Sequence, residues 1–130
     1  MNNIEIDFSL KVSSGEETTF ITEGSYEKNK DIVKINFIEQ TDLPSNTTVY
    51  IYNNRVIIKR EGVLKMNMIY IEGEETTVNL ITDFNYQLTM RNFTRTLEIT
   101  DNGILIKYQT ETDLEQDITH TLSIKWKNIN

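Results

Sequence analysis

The strictest constraint in this chain is written in residues 4–12. Ile4, Ile6, Phe8, Leu10 and Val12 alternate there with Glu5, Asp7, Ser9 and Lys11. A two-residue period puts every apolar side chain on one face of an extended strand and every polar one on the other. The pattern returns at Val33, Ile35 and Phe37, at Val56 and Ile58, and at Ile118, Leu122, Ile124 and Trp126. No stretch keeps an apolar period of 3.6 residues for three turns, so long amphipathic helices are excluded. The sequence contains no alanine. Ile, Thr, Val, Tyr and Phe dominate instead, and such side chains fit a pleated, half-buried surface but lose χ1 freedom in a helix.

Turn signals divide the alternating runs. Ser13-Ser14-Gly15-Glu16 ends the first strand, and strands follow over 18–26, 32–40, 47–52, 56–60, 66–72, 78–82, 88–91, 96–100, 104–112 and 118–126. Gly24 is expected to mark a bulge or bend. Glu27 to Asp31 reads as a polar hairpin loop, and Pro44 lies in the loop after the third strand. Asn53-Asn54 reads as a two-residue turn with positive φ. Asp101-Asn102-Gly103 is a hairpin signal, and Asp113 to Asp117 has room for one helical turn. About ten short strands at this spacing predict a sandwich or barrel.

The word GEETT occurs at 15–19 and again at 73–77. Each copy follows an alternating strand and opens another. Beyond it the copies diverge at once, FITEGSYEK against VNLITDFNY. Shared apolar register is missing, so the repeat reads as reuse of a turn rather than as a duplicated module. Consecutive Glu side chains entering a strand point to opposite faces, which argues against a metal loop.

Several short motifs in order carry a resemblance. They are the early GEE turn, Glu23-Gly24 with Tyr26 and Glu27-Lys28, and Ile35-Asn36-Phe37-Ile38-Glu39. Val56 to Arg60 with Gly62, Met68 and Tyr70 before Gly73, Thr82-Asp83-Phe84-Asn85, and Thr94 before Leu97 complete them. The chain resembles the YwiB-like family of small, calycin-like bacterial β-barrel proteins over nearly its whole length. The resemblance implies an antiparallel barrel related to lipocalin-like folds. It carries no catalytic or binding residue to this chain, because the family is uncharacterised. The family pattern near residue 82 has a Thr-Pro-aromatic-Gly turn, with Asp83 and Asn85 here in place of Pro and Gly. Asn tolerates the left-handed conformation better than most residues, which keeps the turn available.

Bulk properties exclude several classes. At 15.2 kDa the chain fits one domain over residues 1–130 and buries about two-thirds of its surface on folding. A net charge of −7 and a pI near 4.7, with no Lys/Arg run, oppose binding to nucleic acid. There is no cysteine and one histidine, so thiolate chemistry and multi-histidine zinc sites are excluded. No P-loop, dinucleotide or nucleophile-elbow motif is present, and no cofactor is expected. No apolar stretch is long enough for a membrane span. The N-terminus lacks a signal-peptide pattern, so a cytoplasmic location is expected. Asn46-Thr47-Thr48 and Asn92-Phe93-Thr94 match glycosylation sequons and are read as chance.

The informative anomalies are polar groups on apolar faces. Glu39 continues the face of Val33, Ile35 and Phe37. Arg60 continues that of Val56 and Ile58, and His120 shares one with Leu122 and Ile124. Inside a barrel, Glu39 and Arg60 either pair with each other or anchor a ligand, and His120 is either a bonded core residue or a third anchor. Met66, Met68 and Met90 with Tyr70 and Tyr108 are candidates for a soft, adaptable lining. The leading expectation is a non-enzymatic barrel that binds a small, mostly apolar molecule through Arg60, Glu39, His120, Tyr70, Met68 and Tyr108. The alternatives are a filled structural or protein-interaction barrel, and a small acid–base enzyme using the same polar trio. The sequence leaves the oligomeric state open.

Overall fold

The computed structural model describes residues 2–42, 44–82 and 84–129. Its strands are β1 (Asn2–Val12), β2 (Glu17–Asn29), β3 (Ile32–Ile38), β4 (Asn46–Ile51) and β5 (Val56–Glu61). They continue with β6 (Lys65–Tyr70), β7 (Glu75–Ile81), β8 (Gln87–Thr100), β9 (Gly103–Thr110) and β10 (His120–Asn128). A short helix, α1 (Glu111–Gln116), joins β9 to β10. Each strand pairs antiparallel with its sequence neighbours, and β10 returns to β1, closing an up-and-down barrel. Closure removes the unpaired edges that an open sheet of this composition would expose.

The alternation read from the sequence sets which face is inside. Ile4, Ile6, Ile35, Val49, Val56 and Ile106 have no exposed surface. A one-residue slip would turn each such row to solvent, so the inward rows hold the register. Phe8 stacks on Phe20 at 4.5 Å, and Phe37 tilts against both at 6.2 Å. Trp126 is buried at the other side of the interior, 6.3 Å from the Tyr26 ring.

Four local expectations change. Gly24 makes no bulge, since its pairings with Ile4 and Phe37 continue the registers on either side. The register shift falls instead between Thr94 and Thr96, where two expected short strands fuse into the single long β8. The loop at 27–31 shrinks to Lys30-Asp31, with Lys30 at φ 57°. Asn53 and Asn54 do form the turn, closed by a bond from Tyr52 N to Arg55 O, but neither has positive φ. Asn85 does, at φ 58°, the left-handed conformation that asparagine tolerates better than most residues. Asp83, the other departure in that turn, lies outside the described residues.

Both GEETT copies place Gly at positive φ and start a strand at the second Glu, yet they are two different turns. Gly15 N donates to Val12 O, whereas the second turn is closed from Glu74 N to Ile71 O with Gly73 inside it. The first follows β1 and the second follows β6, so in an up-and-down barrel they lie at opposite ends. They cannot form one acidic site.

Candidate functional site

At the barrel end that carries the β1–β2, β3–β4 and β5–β6 connections, the interior opens into a cavity of about 120 Å³. Ile58, Met68, Leu122 and Ile124 form its apolar wall, and Leu10 stands on the β1 side. These are the inward positions of alternating strands. The polar lining comes from Glu39, Thr47, Arg60, Tyr70 and Tyr108, with Thr41 beside them. A broader and more open groove of about 470 Å³ runs along the ends of β5 to β8. Its lining mixes Lys59, Lys65, Asn79 and Gln87 with Met66, Leu80, Ile81 and Leu88, and it is shallower than the mouth cavity.

Glu39 and Arg60 meet. Arg60 Nε donates to Glu39 Oε2 at 2.7 Å and Nη2 donates to Oε1 at 2.6 Å, a bidentate pair. Thr47 Oγ1 adds a third bond to Oε2 at 2.6 Å. The backbone explains the placement. Glu39 N donates to Ser45 O and extends the inward row of β3 by one step, and Thr47 faces Arg60 across the β4–β5 ladder. The Glu39 side chain is 4% exposed and that of Arg60 is 32% exposed. The carboxylate is therefore buried, while the guanidinium reaches the mouth.

His120 does not join them. Its Nε2 lies 3.0 Å from Asp113 Oδ2, and Asp113 Oδ2 also accepts from Thr110 N and Thr110 Oγ1 at 2.8 Å each. With Nε2 facing the carboxylate, Nδ1 is the remaining polar atom of the ring. That Nδ1 is buried and has no hydrogen-bond partner among the described residues. The same holds for the Asn92 amide and the Thr94 hydroxyl, both inside the barrel on β8. Asn92 is 1% exposed, which bars its sequon from glycosylation in the folded protein.

Tyr108 links the two polar groups. It stacks on His120 at 4.9 Å and meets the Tyr70 ring at 5.1 Å. Tyr70 Oη donates to Met68 Sδ at 3.1 Å. Burial pushes the Tyr70 phenol well above its usual value of 10.0, with the neighbouring Tyr108 adding to the shift. Burial likewise raises Tyr108, although Tyr70 and the Arg60 charge pull it partly back. Both phenols therefore stay protonated at neutral pH and act as donors rather than bases.

That arrangement sets an alkaline limit. Between pH 10 and the raised folded values, the unfolded chain releases phenol protons that the native state retains. Stability is full below pH 10 and falls as pH rises above it. Urea unfolding from pH 8 to 12 is expected to show this fall in the wild type and a smaller one in Tyr70→Phe/Tyr108→Phe.

Among the described residues, no group of three or more His, Asp or Glu side chains is placed to hold a metal ion. No helix among them is long and apolar enough to cross a membrane. Asp113 and Thr47 escaped the sequence reading. Thr110-x-x-Asp113 is a capping-box spacing, and Thr47 precedes Val49 and Ile51 on one face, so both carried a usable signal.

Among curated proteins, none matches the chain. A crystal structure of the ywiB protein from Bacillus subtilis matches the fold with a TM-score of 0.83 and 20% identity. The match covers 99% of this chain and 93% of that one. At that identity the likeness speaks for the barrel alone. A family model described as "Domain of unknown function (DUF1934)" matches residues 3–124. That span takes in every strand of the barrel, β10 up to Ile124, and all the residues of the mouth cavity, and on it the chain belongs to the DUF1934 family.

Proposed function

We propose that this barrel is a binding module, not an enzyme, and that it takes one small, mostly apolar molecule in the mouth cavity. The observation that carries the reading is an apolar cavity of about 120 Å³ beneath a bidentate ion pair. Its volume is close to the ~150 Å³ of an engineered cavity that binds benzene, and below the ~300 Å³ at which drug-sized pockets begin. A ligand of benzene-like size suits it, and a long lipid does not. Glu39 takes one proton each from Nε and Nη2 of Arg60, so both Nη1 protons and the second Nη2 proton are left over. Glu39 and Arg60 are matched to each other, and the phenols are held neutral, which favours binding over acid–base chemistry.

A methyl-detected NMR titration tests the reading. Toluene and phenol should shift the Met68 methyl resonance saturably. Leu10→Trp, which fills the cavity from β1, should abolish the shift while the fold is kept. An unchanged titration in Leu10→Trp would place binding elsewhere, and no shift in the wild type would reject the reading.

One observation favours the protein-interaction alternative. Phe84 is 92% exposed, and Tyr86 and Leu88 beside it are 63% and 44% exposed. On that alternative Leu10→Trp is silent, and substitutions at Phe84 and Tyr86 weaken association.

A further inference from the structure

We infer that the occupant of the mouth cavity is an uncharged molecule with an acceptor oxygen, placed against the Tyr70–Tyr108 pair. The inference rests on the reading of the cavity as a binding site and adds the class of ligand. Three observations lead to it.

The first is a count of protons. Two phenols line the cavity, and each has one proton to donate. The two rings lie 5.1 Å apart, so both hydroxyls face the same small volume. The acceptor Tyr70 finds is the thioether of Met68, at 3.1 Å. Sulfur is a weak acceptor, and an oxygen brought by a ligand would accept in its place and make a stronger bond. The site is thus short of one good acceptor, not of a donor.

The second is charge. Arg60 is already neutralised by Glu39 in a bidentate pair, and the carboxylate is almost fully buried. An anionic ligand would enter beside that buried carboxylate and meet like charge in a poorly screened place. A cationic ligand would have to compete with Arg60 for Glu39. The site has no net charge left to offer, so a neutral occupant suits it best.

The third is shape. Ile58, Met68, Leu122 and Ile124 surround the remaining volume with apolar atoms. The ligand therefore has a hydrocarbon body of benzene-like size and its oxygen at one end. Small phenols, alcohols and ketones meet all three requirements.

Phenol and toluene separate this inference from the one it rests on, since they differ by a hydroxyl for a methyl. An apolar cavity without a demand for an acceptor prefers toluene, because burying a hydroxyl unbonded is costly. Calorimetric titration of the wild type with toluene, phenol and benzoate is expected to rank phenol first. Phenol should bind at least fivefold tighter than toluene and at least tenfold tighter than benzoate. In Tyr70→Phe/Tyr108→Phe, shown folded by circular dichroism, the preference for phenol should be lost while toluene still binds. If toluene matches or exceeds phenol in the wild type, the inference fails and the cavity remains an apolar binding site. If benzoate binds tightest, Arg60 recruits an anion and the inference fails in the other direction. If none binds, the cavity reading fails with it.

Discussion

Arg60→Met is expected to lower the stability of this barrel by about 3 kcal/mol, and a second substitution, Glu39→Gln, should restore most of that loss. The single change keeps the hydrocarbon bulk of the side chain and removes its charge. What it leaves behind is the Glu39 carboxylate, 4% exposed, with Thr47 as its remaining side-chain donor. A buried carboxylate stripped of its partner costs far more than the pair contributes over an apolar replacement. Glu39→Gln removes the stranded charge and keeps an acceptor for Thr47 Oγ1. The converse single change, Glu39→Gln alone, should cost less than Arg60→Met, because Arg60 is a third exposed and can turn to water. Urea unfolding at neutral pH of the two single variants and the double variant closes the cycle. A loss below 1 kcal/mol in Arg60→Met would mean that the pair behaves as a surface ion pair.

Gly24→Ala is expected to cost about 3 kcal/mol, at the upper end of what overpacking does, and Gly24→Val to prevent folding. An ideal Cβ at residue 24 would sit 2.4 Å from Asn36 O and 2.6 Å from Ile6 Cδ1, with Phe37 Cβ at 3.1 Å. The isoleucine end can turn away. The carbonyl cannot, because Asn36 lies in β3 and is locked by the β2–β3 and β3–β4 ladders. Moving it pulls on Phe37, which packs on Phe8 and Phe20 at the base of the mouth cavity. Gly15→Ala provides the contrast. Nothing lies within 4 Å of a Cβ there, and the cost is the roughly 1–3 kcal/mol of a side chain held at positive φ. Thermal and urea unfolding of the three variants measure the difference. A loss below about 1 kcal/mol in Gly24→Ala would show that β3 yields to the added methyl and that space does not keep glycine at 24.

The alternation in residues 4–12 and its repeats made the barrel wall legible, because a closed sheet with a solid interior demands one inward row per strand. The same logic put Glu39 and Arg60 inside and opposite each other in sign, and the structure joins them. It was less informative at β8. The extra residue at the Thr94/Thr96 shift breaks the two-residue period, so 88–91 and 96–100 look like separate strands. Asn92 and Thr94, which share the inward face just before the break, were hidden for that reason. His120 was set on the face of Leu122 and Ile124, but its partner could not be read from strands at all. Asp113 reaches it from α1, whose position depends on how the β9–β10 connection folds back over the barrel. Glycine was the other blind spot. A bulge and a close approach of two backbones both call for glycine, and only the neighbouring strand distinguishes them at Gly24.

The most direct test of a ligand-binding barrel is native mass spectrometry of the freshly purified protein, compared with its denatured mass and repeated after phenol is added. A native mass above the 15.2 kDa of the chain is expected, with the excess lost on denaturation and absent from Leu10→Trp. A native mass equal to the denatured one, unchanged by phenol, would contradict it and leave a closed barrel whose work is done from its outer surface.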